Sequence, residues 1–166
     1  REPEARPTEV ALPTLPRAYD AFRIAHLTAL HASRLLQGDW MQAVVARTNA
    51  LKPDLTLITG DLVDGTPAAR AADVPPLADL RAQYGVVAIP GNHEYYAEYL
   101  GWIEAFRKLG LRMLLNEHMT IERDGQPLVL AGITDSVAAR VNQPLPDIDA
   151  AMKGVPPSSA VILLSH

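Results

Sequence analysis

Short apolar runs alternate with amphipathic segments along most of this chain, and that alternation is typical of an α/β domain. Continuous apolar runs at Leu55–Thr59, Val86–Ile89 and Ala160–Leu164 predict strands that are covered on both faces. Further strands are predicted at Phe22–Thr28 and Leu128–Ile133. Because strands and helices follow one another in turn, we expect a mostly parallel sheet with flanking helices.

The segments between the strands predict amphipathic helices. Trp40 to Leu51 gathers its apolar side chains on one side, behind a candidate N-cap at Asp39. Apolar residues spaced i, i+3 and i+7 after a Pro-Pro pair predict a helix from Leu77 to Tyr84. A similar stripe from Tyr99 to Leu109 predicts a helix that ends at Gly110.

Two regions depart from the alternating pattern. Residues 119–130, divided at the turn dipeptide Asp124-Gly125, predict a β-hairpin. Residues 1–20 are rich in proline and charge, so we expect a linker with a short edge strand around Val10 to Leu12. The domain itself is assigned to residues 21–166.

The composition narrows the classes of function. The chain has 166 residues, 48% of them apolar, which suits a single domain with a sizeable core. A formal net charge of −4 argues against nucleic-acid binding, which relies on basic side chains to neutralise phosphates. The chain has no cysteine, which excludes disulfide scaffolds, cysteine-ligated zinc and thiol catalysis.

Polar side chains that can bind metals follow four of the predicted strands. In chain order they are His31, Asp61, the pair Asn92-His93, and His166. Open α/β sheets bind ligands beyond the carboxyl ends of their strands, so we expect these side chains to meet. Imidazole, carboxylate and amide oxygen together suit Mn, Fe, Zn or Co, and a carboxylate such as Asp61 can bridge two ions. Ala29 and His31, spaced i and i+2, are expected to point to one side of an extended backbone.

These motifs resemble those of the calcineurin-like metallophosphoesterases. The family's series is Asp-x-His, Gly-Asp-x-x-Asp, Gly-Asn-His-Glu, a His after a strand, and Gly-His-x-His. Gly60-Asp61-Leu62-Val63-Asp64 and Gly91-Asn92-His93-Glu94 match outright, while His31 and His166 are in register. The resemblance runs from about Leu12 to the last residue and implies a layered αββα sandwich. Since Gly-His-x-His is absent, we expect this chain to be the N-terminal portion of such a domain.

The resemblance also implies a function and residue roles. The family hydrolyses phosphomonoesters, phosphodiesters or pyrophosphates with a hydroxide held by two divalent metal ions. His31 would bind the first ion, Asp61 would bridge, and Asn92 and His166 would bind the second. His93 would be catalytic, stabilising the charge of the phosphate or protonating the leaving group. The implied substrate is a phosphorylated small molecule or lipid.

Two departures from the family pattern affect these expectations. Ala29 stands where the family has the Asp of Asp-x-His, and its methyl group offers no lone pair to a metal. With Gly-His-x-His also absent, each ion keeps only two or three protein ligands, so we expect weak metal binding and little or no hydrolysis. The competing hypothesis is a non-catalytic relative that binds phosphate groups or a protein partner. A deliberate substitution at position 29 is equally compatible with the sequence.

Other residues near the motifs are given structural roles. Asp64 and Glu94 are expected to support or cap the site rather than bind metal, and His26 and His118 to be structural or exposed. The segment Leu15–Phe22 resembles a bacterial branch whose members often carry an N-terminal membrane anchor or an export signal. That resemblance implies membrane association or export, and a member with neither would stay in the cytoplasm.

Overall fold

The computed structural model describes residues 2–166 and contains two β-sheets. The first sheet is wholly parallel and has the order β1-β2-β3-β4. Its strands are β1 (Ile24–Leu27), β2 (Leu55–Thr59), β3 (Val86–Ile89) and β4 (Arg112–Met113). The second sheet pairs β5 antiparallel with β6 and β6 parallel with β7. Its strands are β5 (Glu117–Arg123), β6 (Gln126–Gly132) and β7 (Val161–Leu164).

Helices cover the outer faces of both sheets. The α-helices are α1 (Gly38–Ala50), α2 (Pro67–Arg70), α3 (His93–Tyr96), α4 (Tyr99–Lys108) and α5 (Ile148–Met152). Short 3-10 helices lie at Arg17–Tyr19, Pro75–Asp79 and Ser136–Val141. Helix α5 lies against β5, where the His118 ring nitrogen Nδ1 is 2.7 Å from the carbonyl oxygen of Ala151.

The side-chain alternation of the parallel strands produces two separate cores. In β2, Ile58 faces the helices, whereas Leu55 and Leu57 face the second sheet. The helix-side core is filled by α1 and α4, with Trp102 and Phe106 fully buried. The expected α/β fold with a parallel sheet and flanking helices is therefore confirmed, and its layers run helix, sheet, sheet, helix.

Two of the predicted strands, Leu55–Thr59 and Val86–Ile89, coincide with β2 and β3. The hairpin turns at Asp124-Gly125 as expected, and α4 ends before Gly110, whose φ of 88° and N–H bond to the Arg107 carbonyl close the helix. The strand predicted at Phe22–Thr28 is shorter, since only Ile24–Leu27 pairs with β2.

The helix predicted from Leu77 to Tyr84 is wrong. Only a 3-10 helix over Pro75–Asp79 forms, and the chain is extended at Leu80. The reason is a competing partner, since the Asn49 side chain of α1 bonds the Asp79 carbonyl and the Arg81 N–H, both at 2.8 Å. Leu77 and Leu80 still enter the helix-side core, so the apolar spacing identified burial correctly but not the helix.

Two smaller expectations also differ from the structure. No strand forms at residues 10–12 in the described chain. Asp39 is not the N-cap of α1, because the helix begins at Gly38 and Gln37 occupies the cap position without a side-chain bond. Within residues 1–20, where a linker is expected, Tyr19 is instead buried in the core between the sheets, and its hydroxyl donates to the Gln126 carbonyl at 2.8 Å.

Candidate metal centre

The loops that follow β1 and β2 run side by side and hold the first two motifs together. The His31 N–H donates to the Asp61 carbonyl at 2.9 Å, and the Ala32 N–H donates to the Leu62 carbonyl at 2.8 Å. The Asp64 N–H donates to the Ala32 carbonyl, also at 2.8 Å, which completes a short parallel bridge between the two loops. The parallel ladder of the sheet thus continues beyond the strands and places His31 next to Asp61.

The backbone within these loops is locally left-handed. Ala29, His31 and Asp61 have φ values of 51°, 46° and 54°. The expectation that residues 29–31 stay extended is therefore wrong, because the loop turns to follow the backbone of residues 60–62. A left-handed non-glycine residue costs about 1–2 kcal/mol, and such residues concentrate at functional sites.

Two glycines allow the second and third motifs to approach each other. A Cβ atom on Gly60 would lie 2.3 Å from the Gly91 nitrogen, and one on Gly91 would lie 2.3 Å from Asp61 Oδ1. Both distances are far below van der Waals contact, so any side chain at either position would separate the loops. The close packing of these two loops therefore requires glycine before Asp61 and before Asn92.

The fully buried carboxylate of Glu94 fastens the loops together. Its Oε1 accepts the N–H groups of Leu62 at 2.7 Å and Val63 at 3.3 Å. Its Oε2 accepts those of Gly91 at 2.7 Å and Asp61 at 3.0 Å. Burial raises the pKa of the Glu94 carboxyl above its ordinary value, and the bonds from Gly91, Asp61 and Leu62 offset part of that rise. Glu94 is thus a positioning residue for the motif around Asp61.

Asp61 lies at the centre of three imidazole rings. Its Oδ1 accepts the His93 backbone N–H at 3.0 Å, which fixes the carboxylate. Its Oδ2 lies 3.7 Å from His31 Nε2, 3.9 Å from His93 Nε2 and 3.4 Å from His166 Nε2. The structure therefore brings three of the predicted histidines around one buried oxygen of Asp61.

His166 reaches this centre from β7, a strand of the other sheet. Its Nδ1 is 2.7 Å from the Thr59 carbonyl oxygen, so in the neutral ring Nδ1 carries the hydrogen and Nε2 a lone pair. That Nε2 is 3.0 Å from Asn92 Oδ1. The Asn92 amide is oriented by its Nδ2, which donates to the Tyr96 hydroxyl at 2.8 Å. Asn92 and His166 thus present acceptor atoms to each other.

Asp64 links the two remaining histidines. Its Oδ1 contacts His93 Nδ1 and lies 3.4 Å from His31 Nδ1. The His31 and His93 rings meet edge to face with centroids 4.7 Å apart, and the Tyr96 ring centroid lies 5.3 Å from that of His93. These contacts hold His93 with its Nε2 directed toward Asp61.

Asp64 and Glu94 are predicted from the sequence to support the site, and both contact its motifs. The Thr59 carbonyl and Tyr96, which contact His166 and Asn92, are not predicted from the sequence. The Thr59 contact has no sequence signal, because it depends on where β7 ends relative to β2. His26 bonds Thr59 Oγ1 at 2.7 Å and His118 bonds Ala151, so neither histidine joins the cluster.

The chemistry of this group of atoms fits a metal ion. Ligand atoms of His31, Asp61 and His93 all lie within 4.8 Å of one another. In addition, Asp61 Oδ2 and Asn92 Oδ1 converge on His166 Nε2, which is a third acceptor when the ring is neutral, because the Nδ1 hydrogen then points to the Thr59 carbonyl. Converging acceptors repel unless a cation lies between them, and this mixture of nitrogen and oxygen suits divalent transition metals.

A profile of the calcineurin-like phosphoesterases matches residues 22–151 of this sequence. The chain belongs to the calcineurin-like phosphoesterase family. An uncharacterised metallophosphoesterase of Helicobacter pylori is 33% identical over 164 residues, which cover 99% of this chain and 42% of that protein. One from Aquifex aeolicus is 32% identical over 145 residues, covering 87% and 54%. A protein of Danio rerio named as a transmembrane protein with a metallophosphoesterase domain is 29% identical over 170 residues, covering 99% and 39%.

The family is a metal-dependent one, and hydrolysis of phosphoesters is the activity that its name carries. The chain spans about two fifths of the length of the zebrafish and Helicobacter relatives, 39% and 42% respectively. Within residues 2–166, no helix is both long enough and apolar enough to cross a membrane.

Proposed function

We propose that this chain carries the metal centre of a metallophosphoesterase that hydrolyses a phosphomonoester, a phosphodiester or a pyrophosphate. The observation that carries the proposal is the convergence of polar atoms on His166 Nε2, which lies 3.0 Å from Asn92 Oδ1 and 3.4 Å from Asp61 Oδ2. The same Asp61 oxygen lies 3.7 Å from His31 Nε2 and 3.9 Å from His93 Nε2. Side chains that follow three strands of the first sheet and one strand of the second sheet meet at this site, as expected for a ligand site of an open α/β sheet.

In this proposal the residues divide between two divalent ions of the Mn, Fe, Zn or Co type. His31 and Asp61 would hold one ion, and Asp61, Asn92 and His166 would hold the other. When bound, the ions would supply the positive charge that activates water and neutralises the phosphate oxygens. The buried position of Asp61 strengthens its attraction for cations, because little water competes for the carboxylate.

His93 is the proposed catalytic residue. Its Nδ1 contacts the Asp64 carboxylate, which orients the ring so that Nε2 faces the centre where the reacting phosphate would lie. Hydrolysis forms a bond from water oxygen to phosphorus and breaks the bond from phosphorus to the leaving oxygen. The His93 Nε2 proton passes to that oxygen, so the leaving group departs as an alcohol or, from a pyrophosphate, as a phosphate, and the proton that the attacking water loses restores His93. Asp64 acts as a positioning residue for this step.

Ala29 weakens the proposed centre. Its methyl group adds no ligand beside His31, although its N–H still bonds the Gly60 carbonyl at 3.2 Å and keeps position 29 beside the second motif. We therefore expect the chain to retain metal weakly and to turn over substrate slowly. This same residue is the observation that favours the second candidate function, a non-catalytic relative that binds phosphate groups or a protein partner.

The test introduces a carboxylate at position 29. Mn²⁺ binding by calorimetry and hydrolysis of bis(p-nitrophenyl) phosphate are compared for the chain, Ala29→Asp and Ala29→Asn. We expect the Asp variant to bind Mn²⁺ at least about tenfold more tightly and to hydrolyse the ester faster, because an added carboxylate contributes roughly 1.4 kcal/mol or more at a partly screened site. Asn serves as the matched control for shape.

A further change separates the two candidate functions. In the Ala29→Asp background, His93→Ala should remove the gain in rate while leaving the gain in Mn²⁺ affinity. If Ala29→Asp binds Mn²⁺ more tightly but gives no rate above the Ala29 chain, the non-catalytic function is favoured. If neither affinity nor rate increases, the metal-centre proposal is wrong.

Membrane proximity is part of the same proposal. Relatives from Danio rerio and Bos taurus are named transmembrane proteins with a metallophosphoesterase domain, and they match 99% of this chain. A phosphorylated lipid is then as suitable a substrate as a phosphorylated small molecule. Comparing the rate on a short-chain phosphatidate with that on p-nitrophenyl phosphate, in the Ala29→Asp background, tests the preference.

A further inference from the structure

A tight turn at Ser33–Leu36 projects two exposed side chains beside the candidate centre. The Ser33 N–H donates to the Leu36 carbonyl at 2.9 Å. Ser33 Oγ in turn accepts the N–H groups of Leu35 at 3.3 Å and Leu36 at 3.2 Å. Arg34 and Leu35 occupy the tip, and the turn begins directly after the Ala32 bridge to the loop that carries Asp64.

The two tip residues border an open groove of about 790 Å³. Its lining residues are Ser33, Arg34, Leu35 and Asp64. Asp64 also contacts His93 and His31, so the groove leads directly to the histidines of the candidate centre. A phosphoester with its phosphorus at that centre would extend its remaining groups past the turn.

Both tip side chains are free to meet such a ligand. The guanidinium of Arg34 takes part in none of the ion pairs formed within residues 2–166. Leu35 is 93% exposed, so it contributes nothing to the folded core. The side chain–backbone bonds of Ser33 nevertheless hold this turn in one conformation, which reduces the ordering cost of binding.

We infer that Arg34 and Leu35 form the substrate-recognition element of this chain. Arg34 binds the anionic oxygens of the phosphoryl group, and Leu35 contacts an apolar substituent attached to it. The substrate class is thus a phosphoester with an apolar substituent of several carbons. The inference rests on the proposed function for the position of the phosphorus, since the groove begins where Asp64 meets the candidate centre.

Arg34 and Leu35 would bind different parts of the substrate for different physical reasons. The Asp64 carboxylate that lines the groove repels a phosphate, and Arg34 is the cationic residue among the four that line it. Guanidinium pairs with phosphate oxygens through two parallel hydrogen bonds. An exposed leucine gains about 0.8 kcal/mol for each methylene that it removes from water on binding, which is close to a fourfold change in affinity.

Binding of phosphonates tests the inference without any turnover, because their carbon–phosphorus bond is not hydrolysed. Calorimetry in excess Mn²⁺ compares methylphosphonate with hexylphosphonate for the chain and for Arg34→Gln and Leu35→Asn. The matched controls are Arg47→Gln, which removes an exposed arginine of α1, and Leu145→Asn, which removes another exposed leucine.

We expect hexylphosphonate to bind about tenfold more tightly than methylphosphonate. Arg34→Gln should weaken both ligands about tenfold. Leu35→Asn should abolish the advantage of the hexyl group and leave methylphosphonate unaffected, and the two controls should bind like the parent chain. Equal affinity of the Arg34→Gln variant, or a hexyl advantage retained in Leu35→Asn, overturns the inference, as does failure of both phosphonates to bind.

The outcome is distinguishable from failure of the proposed function. If the expected binding pattern is found but Ala29→Asp hydrolyses no ester, the recognition element stands and the chain is a phosphate-binding relative. If Ala29→Asp is an active hydrolase but Arg34→Gln and Leu35→Asn bind like the parent, the enzyme proposal stands and the recognition element does not.

Discussion

The Glu94→Gln substitution tests whether one buried carboxylate holds the candidate centre together. Each Glu94 oxygen accepts two backbone N–H groups, Oε1 from Leu62 and Val63, and Oε2 from Gly91 and Asp61. Glutamine keeps the shape of the side chain but replaces one oxygen by an NH2 group. Whichever way the amide turns, two buried N–H donors then face a donor instead of an acceptor.

The expected loss of stability follows from those two donors. A buried donor without a partner costs about 1–3 kcal/mol, so two cost roughly 2–6 kcal/mol. Removing a buried charge, whose desolvation is what raises the pKa of Glu94, returns part of this. We therefore expect a net loss of about 3 kcal/mol, which lowers the melting temperature of a domain of this size by roughly 6–12 °C.

Urea denaturation followed by circular dichroism measures the loss. Glu104→Gln on α4 is the control, because that side chain pairs only with Lys108 on the surface and its removal should not move the midpoint measurably. Hydrogen exchange should show faster exchange at the Asp61, Leu62, Val63 and Gly91 amides in Glu94→Gln. A Gln variant as stable as the parent would refute the reasoning, since it would mean that one Glu94 oxygen already carries a hydrogen.

Three further substitutions test the packing and charge around the centre. Gly91→Ala should lower the free energy of unfolding by about 3 kcal/mol in urea denaturation, because its Cβ would lie 2.3 Å from Asp61 Oδ1. The control Gly110→Ala has nothing within 4 Å of its Cβ and should cost only the roughly 1–2 kcal/mol of its left-handed φ. Equal losses would contradict the steric explanation. Asn92→Asp should raise Mn²⁺ affinity about tenfold by calorimetry because it adds a charge to the three acceptors, and an unchanged affinity would argue against Asn92 as a ligand. Tyr19→Phe should lower the free energy of unfolding by about 1–2 kcal/mol in urea denaturation, because its hydrogen bond to the Gln126 carbonyl is lost. Tyr84→Phe in the same aromatic cluster should cause no such loss. A Tyr19→Phe variant as stable as the parent would mean that the hydroxyl is dispensable.

The sequence predicted those parts of the fold that depend on local pattern. Leu55–Thr59 and Val86–Ile89 were identifiable as strands because a strand covered on both faces needs an unbroken apolar run. The hairpin at Asp124-Gly125 and the helix end at Gly110 were identifiable because few residues adopt a positive φ without strain. The Leu77–Tyr84 segment was misassigned because the partner that breaks its helix, Asn49, lies about 30 residues away on another element.

The same division applies to the candidate centre. The motif residues after β1, β2 and β3 could be listed from the sequence and expected to be near one another, because parallel strands end at one edge of a sheet. Their family was likewise recognisable, since Gly-Asp-x-x-Asp and Gly-Asn-His-Glu are specific strings, and the profile match over residues 22–151 confirmed it.

Only the tertiary structure decided how these residues face one another. His166 follows β7 of the second sheet, and its position against Thr59 and Asn92 depends on how the two sheets stack. The four bonds of Glu94, the left-handed turns at His31 and Asp61, and the groove beside Arg34 likewise arise from loops that pack across the sheet edge. Local sequence determines which side chains are available, but distances and orientations between segments far apart in the chain are set by packing, which no local pattern encodes.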